Sequence, residues 1–311
     1  MSKAAIVTGA SSGIGLAISR VLCEKGYEVY GFGRDFAKEQ TREFVEQTAA
    51  FHPVEGDLLE EQKLCDAVKE ITKTADIEVL VNAAGVGHYG LHEELTPKKI
   101  QALVRTNLEI PLLLTNRLLR VLKKNHGYII NISSVTAKQS SPHGCAYAAT
   151  KAGLSSFGKS LFEEARKYGV KVTTIHPDMT DTNLYRDADF TCGEEPESYL
   201  LPDEVAKAVA YVLDQREGMV VPEITLRPQL HRIARPMNTG HIVMLVGVIA
   251  GWILCMLFGR SFFGITEISK QCEMLMVIFA IITEPVLRYL SLIVEWISAR
   301  CRMIHARFSR A

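Results

Sequence analysis

Several features are missing or sparse in this chain, and each absence narrows the field. Charge of one sign is not in excess: 35 lysines and arginines balance 35 aspartates and glutamates. No global field therefore draws nucleic acid to the surface. The seven cysteines, Cys23, Cys65, Cys145, Cys192, Cys255, Cys272 and Cys301, contain no Cys-x-x-Cys and no regular ladder. That argues against a zinc ribbon or a disulfide framework and fits reduced thiols facing the cytosol. The histidines form no ligand cluster, so no metal is expected; His88, His92, His126, His143 and His176 read as loop, surface or substrate-edge residues. No secretory leader is expected either, because Lys3 is followed at once by the apolar run Ala4 to Val7 and a glycine turn. Charge is unevenly spread: it belongs mostly to the first three quarters of the chain, and the stretch from Met237 onward is strongly apolar.

What is present begins with an apolar run, Ala4 to Thr8, that leads directly into Thr8-Gly-Ala-Ser-Ser-Gly-Ile-Gly15 and then a helical pattern at Ile14, Ile18, Val21 and Leu22. Strand, glycine turn and helix in this order place a pyrophosphate on backbone amides at a helix N-terminus. The candidate cofactor residues here are Gly9, Ser11, Ser12, Gly13, Ile14 and Gly15. A lone glycine-rich loop is a weak signal, and its neighbours strengthen it. A second strand, Glu28 to Phe32, closes on Gly33, Arg34 and Asp35. Dinucleotide folds that take NAD place a carboxylate there for the ribose 2′-hydroxyl, whereas an Arg suits a 2′-phosphate. Gly33 occupies the acid's place and Arg34 follows, so NADP (NADPH) is expected in preference to NAD. The alternative is that Arg34 is a solvated turn residue and Asp35 takes the acid's role.

A charged helix over residues 36–50 precedes a third strand, Phe51 to Glu55, which ends in Gly56, Asp57 and Leu58; Asp57 could bond an adenine amino group. A second charged helix, about Glu60 to Thr72, leads to the strand Val79 to Val81 and then Asn82, Ala83, Ala84 and Gly85, small residues that permit close approach to a cofactor. Strands alternating with helices of this length predict an α/β, Rossmann-type, doubly wound parallel sheet. A helix around Ile100 to Lys123 carries Asn107 in an apolar stripe, where an amide must be bonded or hold a water.

Ser134 follows the apolar run Tyr128 to Ile132, which reads as a buried strand whose carboxyl end is the ligand edge of such a sheet. If the segment after Pro142 is helical, Tyr147 and Lys151 share one face and an ammonium stands beside a phenol. A nearby positive charge favours the phenolate and lowers its pKa, which makes the pair a tuned acid/base. In a chain with ten tyrosines a lone Tyr-x-x-x-Lys arises readily by chance. Its weight comes from the other signals that call for the same site.

Taken together, Thr8-Gly9-x-x-x-Gly13-Ile14-Gly15, Asn82-Ala83-Ala84-Gly85, Asn107, Ser134 and Tyr147-x-x-x-Lys151 closely resemble the short-chain dehydrogenase/reductase family over about residues 3–228. The resemblance implies that Tyr147 is the general acid or base of a carbonyl–alcohol interconversion, and that Lys151 lowers its pKa and holds the nicotinamide ribose. Ser134, thirteen residues before Tyr147 and so preferred over Ser133, would bond the substrate oxygen, and Asn107 would hold a water linking Lys151 to solvent. Pro177 and Thr182 match the family's segment beside the nicotinamide. Asp178 replaces its glycine and Thr180 its apolar residue, which puts the local geometry in doubt. A homodimer through the helices carrying Asn107 and Tyr147 is likewise implied.

Asn183 to Leu201 falls in the family's variable substrate lid, where Tyr185, Phe190 and Tyr199 either line an apolar pocket or pack the lid down. A helix from Pro202 to about Gln215 and a strand Met219 to Glu223 are expected to complete the sheet, and Arg227, His231, Arg232 and Arg235 form a basic linker. Residues 1–232 thus read as an NADP-binding domain, and 233–311 as a hydrophobic helical membrane-anchoring segment. No charged residue lies between Met237 and Gly259, and about twenty apolar residues suffice for a transmembrane helix; a buried dimer helix is the soluble alternative. Met274 to Thr283 is too short to span. The helix after it carries a polar stripe of Glu284, Arg288, Ser291, Glu295, Ser298 and Arg302, and either lies in the interface or completes a hairpin. Basic residues flanking the apolar region place the catalytic domain and the terminus on the cytoplasmic side.

The function expected is an NADP-dependent oxidoreductase acting on a hydrophobic carbonyl compound, lipid, sphingoid or steroid-like. Its layout resembles that of 3-ketodihydrosphingosine reductases. The competing reading is a membrane-tethered NADP-binding scaffold or sensor with little turnover.

Overall fold

The computed structural model describes residues 3–186 and 188–234. Seven parallel strands form one sheet: β1 (Lys3–Thr8), β2 (Glu28–Gly33), β3 (Phe51–Glu55), β4 (Asp76–Asn82), β5 (Tyr128–Ile132), β6 (Lys171–Pro177) and, after the two-residue β7 (Thr191–Cys192), β8 (Glu223–Leu226). Their order is β3-β2-β1-β4-β5-β6-β8. β7 pairs separately and antiparallel with β9 (Ile233–Ala234).

The strands are apolar on both sides because both sides are covered. Ala5, Val7, Val79, Val81, Ile130 and Ile175 face one way, against α1 (Gly13–Glu24), α2 (Glu39–Gln47) and α7 (Pro202–Leu213). Ala4, Ile6, Leu80, Ile129 and Val172 face the other, against α3 (Glu61–Thr74), α5 (Ile110–Lys124) and α6 (Cys145–Ala165). Leu114, Leu118 and Leu122 recur on one face of α5 and are almost wholly buried. Each such leucine stabilises the fold by roughly 1.5–3 kcal/mol relative to exposure. Strand order reverses between β1 and β4, so the loops after these two strands part and leave a crevice at the carboxyl edge.

Four boundaries differ from expectation, each for a local reason. The helix expected over 36–50 begins only at Glu39, because the Asp35 carboxylate accepts from Ala37 N at 2.8 Å and holds the preceding turn. The single helix expected around Asn107 is α4 (Pro97–Val104), a π-helical turn Arg105–Glu109, and then α5. Pro111 has no N–H to close an α-turn back to Asn107, and the wider turn absorbs that loss. The last strand lies at Glu223–Leu226 rather than Met219 to Glu223, starting only after Pro222, which cannot donate to a ladder. The final helix stops at Leu213 rather than continuing to Gln215.

Of the basic linker, Arg232 pairs with Glu195 and Arg227 donates to Gln139 Oε1 at 2.9 Å. Among the described residues no helix is long and apolar enough to cross a membrane. The expected transmembrane and interfacial segments lie outside the described residues.

Candidate active site

The crevice begins at the glycine loop. Gly9 has φ +72°, and a Cβ there would stand 2.8 Å from the Ala84 backbone. A Cβ on Gly15 would collide with the Gly9 carbonyl. Only glycines let the β1 turn lie against the loop after β4 and still open α1 toward the crevice. Thr8 locks this junction: its Oγ1 accepts from the amides of Ala83 and Ala84 at 3.0 Å each. The resulting cleft of about 420 Å³ is lined by Gly9, Ser11, Ser12, Gly13, Ile14 and Gly15, by Arg34 at the end of β2, by Asp57 and Leu58 after β3, and by Ala83 and Gly85 after β4. Ser134, Tyr147, Lys151, Pro177 and Thr182 line it as well. These sixteen expected residues therefore share one cavity.

Two expected residues stand behind it. Asn82 donates to Asn131 Oδ1 at 2.9 Å and ties β4 to β5, so its side chain does not reach the cleft. Asn107 is fully buried, and its amide is committed to the chain: Oδ1 accepts from Val86 N and Nδ2 donates to Val86 O, both at 2.9 Å, and Nδ2 also donates to Thr150 Oγ1 at 3.3 Å. It clamps the strand-to-loop turn beside Lys151, as a positioning residue.

The alternative for the second strand's acid also meets the coordinates. Asp35 accepts from the Ala37 amide of its own turn and does not line the cleft, whereas the exposed Arg34 does. Asp178, the departure from the family pattern, accepts from its neighbour Met179 N at 2.9 Å while its own N–H bonds Leu226 O. Its φ is not positive, so no glycine is needed there.

At the catalytic end, α6 presents Tyr147 and Lys151 side by side, both about 4% exposed. Lys151 Nζ donates to Ile132 O at 2.8 Å and lies 5.7 Å from the Tyr147 ring centroid. Burial pushes the Lys151 ammonium down to about 8 and the Tyr147 phenol up to about 12, while hydrogen bonds to Tyr147 from Ser134 and Tyr89 pull the other way. Burial sets the direction at Tyr147, and the Lys151 ammonium makes its hydrogen bond to the Ile132 carbonyl rather than to the phenol. Ser134 Oγ accepts from Thr136 N at 3.2 Å and Thr136 Oγ1 at 3.0 Å, which leaves its own proton to donate. Ser133 is structural, bonded to Lys151 O and Ser155 Oγ.

Two residues gain roles that the sequence did not give them. His176, expected at a loop or edge, is fully buried on β6, with Nδ1 3.2 Å from Ser134 O and Nε2 3.6 Å from Glu223 Oε1. Glu223 is held in turn by Lys138 at 2.8 Å and Lys159 at 3.2 Å. Tyr89 packs on Tyr147 with ring centroids 5.5 Å apart. Neither could be read from spacing, because their partners come from distant strands and loops. His143 contributes its backbone: at φ +61° its carbonyl accepts from Gly90 N at 2.8 Å. Of the lid aromatics, Tyr185 lines the cleft and packs on Phe190 at 5.5 Å, and Tyr199 does not line it. Among the described residues no group of three or more His, Cys, Asp or Glu could hold a metal.

Residues 3–191 match the short chain dehydrogenase family. An uncharacterized oxidoreductase of Staphylococcus saprophyticus is 32% identical over 235 residues, covering 73% of this chain and 97% of the relative. Among solved structures, a metagenomic short-chain oxidoreductase in complex with NADP is 31% identical, with TM-score 0.62, over 73% of this chain and 98% of that one. A 3-ketoacyl-(acyl-carrier-protein) reductase from Brucella melitensis complexed with NADH is 26% identical, with TM-score 0.65, over 74% and 98%. The chain belongs to the short-chain dehydrogenase/reductase family. It is an NAD(P)-dependent oxidoreductase that interconverts a carbonyl and an alcohol.

The residues present fit such a cofactor: the glycine loop, packed so closely that Gly9 and Gly15 leave no room for a Cβ, lines one cleft with Arg34 and Asp57, and these would hold its pyrophosphate, ribose and adenine ends. When bound, the nicotinamide supplies or accepts hydride at the substrate carbon. The Tyr147 and Ser134 hydroxyls line this cleft together, both by type able to donate a hydrogen bond into it. Lys151 lines it as well, with Nζ bonded to the Ile132 carbonyl, and Asn107 clamps the turn at Val86.

Proposed function

We propose that the chain is an NADP-dependent reductase of an apolar carbonyl compound, tethered to a membrane by its C-terminal segment with the catalytic domain on the cytoplasmic side. The observation that carries the cofactor choice is Arg34, which is exposed and lines the cleft, whereas Asp35 does not line it and accepts from the Ala37 amide of its own turn. A guanidinium meets a 2′-phosphate with paired, charge-assisted hydrogen bonds, and the free 2′-hydroxyl of NAD offers it nothing comparable. One similar structure holds NADP and another NADH, so the family uses both and local residues decide.

The apolar substrate class rests on two features. Tyr185 at the substrate end of the cleft is backed by Phe190, and the uncharged run between Met237 and Gly259 suits a site working beside lipid. A sphingoid ketone, by layout, or a steroid-like ketone meets both. A homodimer through the helical segments carrying Asn107 and Tyr147 completes the reading. Membership in an oxidoreductase family, with Ser134, Tyr147 and Lys151 all in the cleft, favours turnover over a scaffold role.

The test is oxidation of NADPH and NADH by the detergent-solubilised full chain against a ketosphinganine, several ketosteroids and a small polar ketone. Turnover of a lipid ketone with NADPH preferred supports the reading. Turnover of the polar ketone alone removes the lipid substrate, and preference for NADH removes the Arg34 assignment. Release from membranes by alkaline carbonate would remove the anchor.

A further inference from the structure

The backbone ladder between β5 and β6 stops one residue short of Ser134. Its last rung is the bond from Ser133 N to Ile175 O at 2.8 Å. In a parallel ladder alternate residues bond the same neighbour, so the next donor from β6 would be residue 177, and Pro177 has no N–H. Ser134 therefore stands at the open end of the strand, with an extended backbone at φ −162° and ψ 159°.

Beyond that point two donors hold the Ser134 carbonyl. Ala137 N, closing the short 3₁₀ turn Val135–Ala137, reaches it at 3.0 Å, and the fully buried ring of His176 reaches it from β6, with Nδ1 at 3.2 Å. A carbonyl only accepts, so Nδ1 carries a proton. The other ring nitrogen has no hydrogen-bond partner: Nε2 faces Glu223 Oε1 on β8 across 3.6 Å, and that carboxylate is taken by Lys138 and Lys159. If packing were the ring's only task, an apolar side chain would fill the place without leaving a buried nitrogen unpaired. What the histidine gains is the Ser134 carbonyl.

We propose that His176 is a positioning residue for the reaction: its Nδ1–H fixes the Ser134 carbonyl where the strand ladder gives out, and with it the direction of the Ser134 hydroxyl. The side chain is held from its other end, since Oγ accepts from Thr136 N at 3.2 Å and from Thr136 Oγ1 at 3.0 Å. With the carbonyl tied to β6 and the hydroxyl oxygen tied to the turn, the residue has little room to shift. That matters because a displacement of about 1 Å at a reacting centre costs on the order of a hundredfold in rate. The proposal rests on the reading of Ser134 as the hydroxyl that meets the substrate oxygen.

His176→Asn and His176→Leu are compared in the full chain, solubilised in detergent. The asparagine amide can donate from where Nδ1 stands, and leucine cannot. Amide hydrogen exchange is followed at Thr136 and Ala137, whose N–H groups both bond Ser134. Exchange there should quicken by about tenfold or more in His176→Leu and stay within about threefold of the parent in His176→Asn. This readout needs no substrate, so it tests the tether whichever carbonyl compound the enzyme accepts. With the ketone of the panel above that the parent turns over fastest, kcat should fall about tenfold or more in His176→Leu and return to within about threefold in His176→Asn, while NADPH affinity changes by less than about threefold in either. Equal exchange or equal kcat in the two variants, or a loss confined to cofactor affinity, overturns the proposal. Should the leucine variant not fold, the asparagine variant alone decides, since near-parental exchange and kcat are required of it. Ser134→Ala is measured beside them. Retained turnover there removes the reading of Ser134 and the proposal with it, whereas an inactive Ser134→Ala with both His176 variants equally impaired removes His176 alone.

Discussion

Lys151 Nζ donates to the Ile132 carbonyl at 2.8 Å, so the lysine anchors to β5 while Tyr147, one helical turn earlier, keeps a phenol raised to about 12. A phenol raised above its usual 10 is the protonated species throughout the neutral range. It is therefore ready to donate and poorly prepared to accept. Carbonyl reduction should vary little between about pH 6 and 9 on account of Tyr147, whereas alcohol oxidation, which needs the phenolate, should rise by about tenfold per pH unit over the same range. Initial rates in both directions across that range check this. Oxidation as flat as reduction would show that cofactor and substrate reset the phenol.

Arg34→Ala should reduce kcat/KM with NADPH by roughly 10- to 100-fold, the loss of a charge-assisted contact, and leave NADH nearly unchanged. Parallel steady-state kinetics with the two cofactors would show the ratio. Equal losses would mean that Arg34 supports the turn rather than the phosphate.

Gly9→Ala forces a side chain to φ +72° and into the Ala84 backbone. Strain of about 1–3 kcal/mol is expected, with a Tm several degrees lower and weakened cofactor binding. Thermal unfolding with and without NADPH measures both effects. The variant should gain less from the cofactor than the parent does.

Glu223 bears on pH and stability. Burial would raise its carboxyl, but Lys138 and Lys159 prevail and hold it at about 2, below the ordinary 4.5. A carboxyl depressed by folding stabilises the folded state above its ordinary value, and that contribution fades as pH falls from about 4.5 toward 2. Glu223→Gln should therefore lower Tm at pH 7 and flatten its decline in acid. A decline as steep as the parent's would place the acid sensitivity elsewhere.

Much of this arrangement was legible before any coordinates. β3 and β5 lie where the apolar runs at Phe51 and Tyr128 put them, and the glycine turn after β1 opens α1 as expected. Local chemistry sufficed there, because a buried parallel strand needs a run of apolar residues and a phosphate loop needs glycine. The misses depend on what each residue meets. The start of β8 turned on Pro222, and the π turn at Arg105–Glu109 on Pro111. Sequence shows that the Lys151 charge is near Tyr147 but not that its hydrogen bond goes to the Ile132 carbonyl. His176 was read as a loop, surface or substrate-edge residue and Tyr89 was not singled out, because their partners arrive only when β5, β6 and the lid converge.

The most direct test of the account is Tyr147→Phe in the full-length protein, followed by NADPH oxidation with an accepted ketone and by NADPH fluorescence titration. Loss of turnover by about a thousandfold or more, with cofactor affinity within about threefold of the parent, is the expected result. Retained turnover would contradict it and remove Tyr147 as the proton donor.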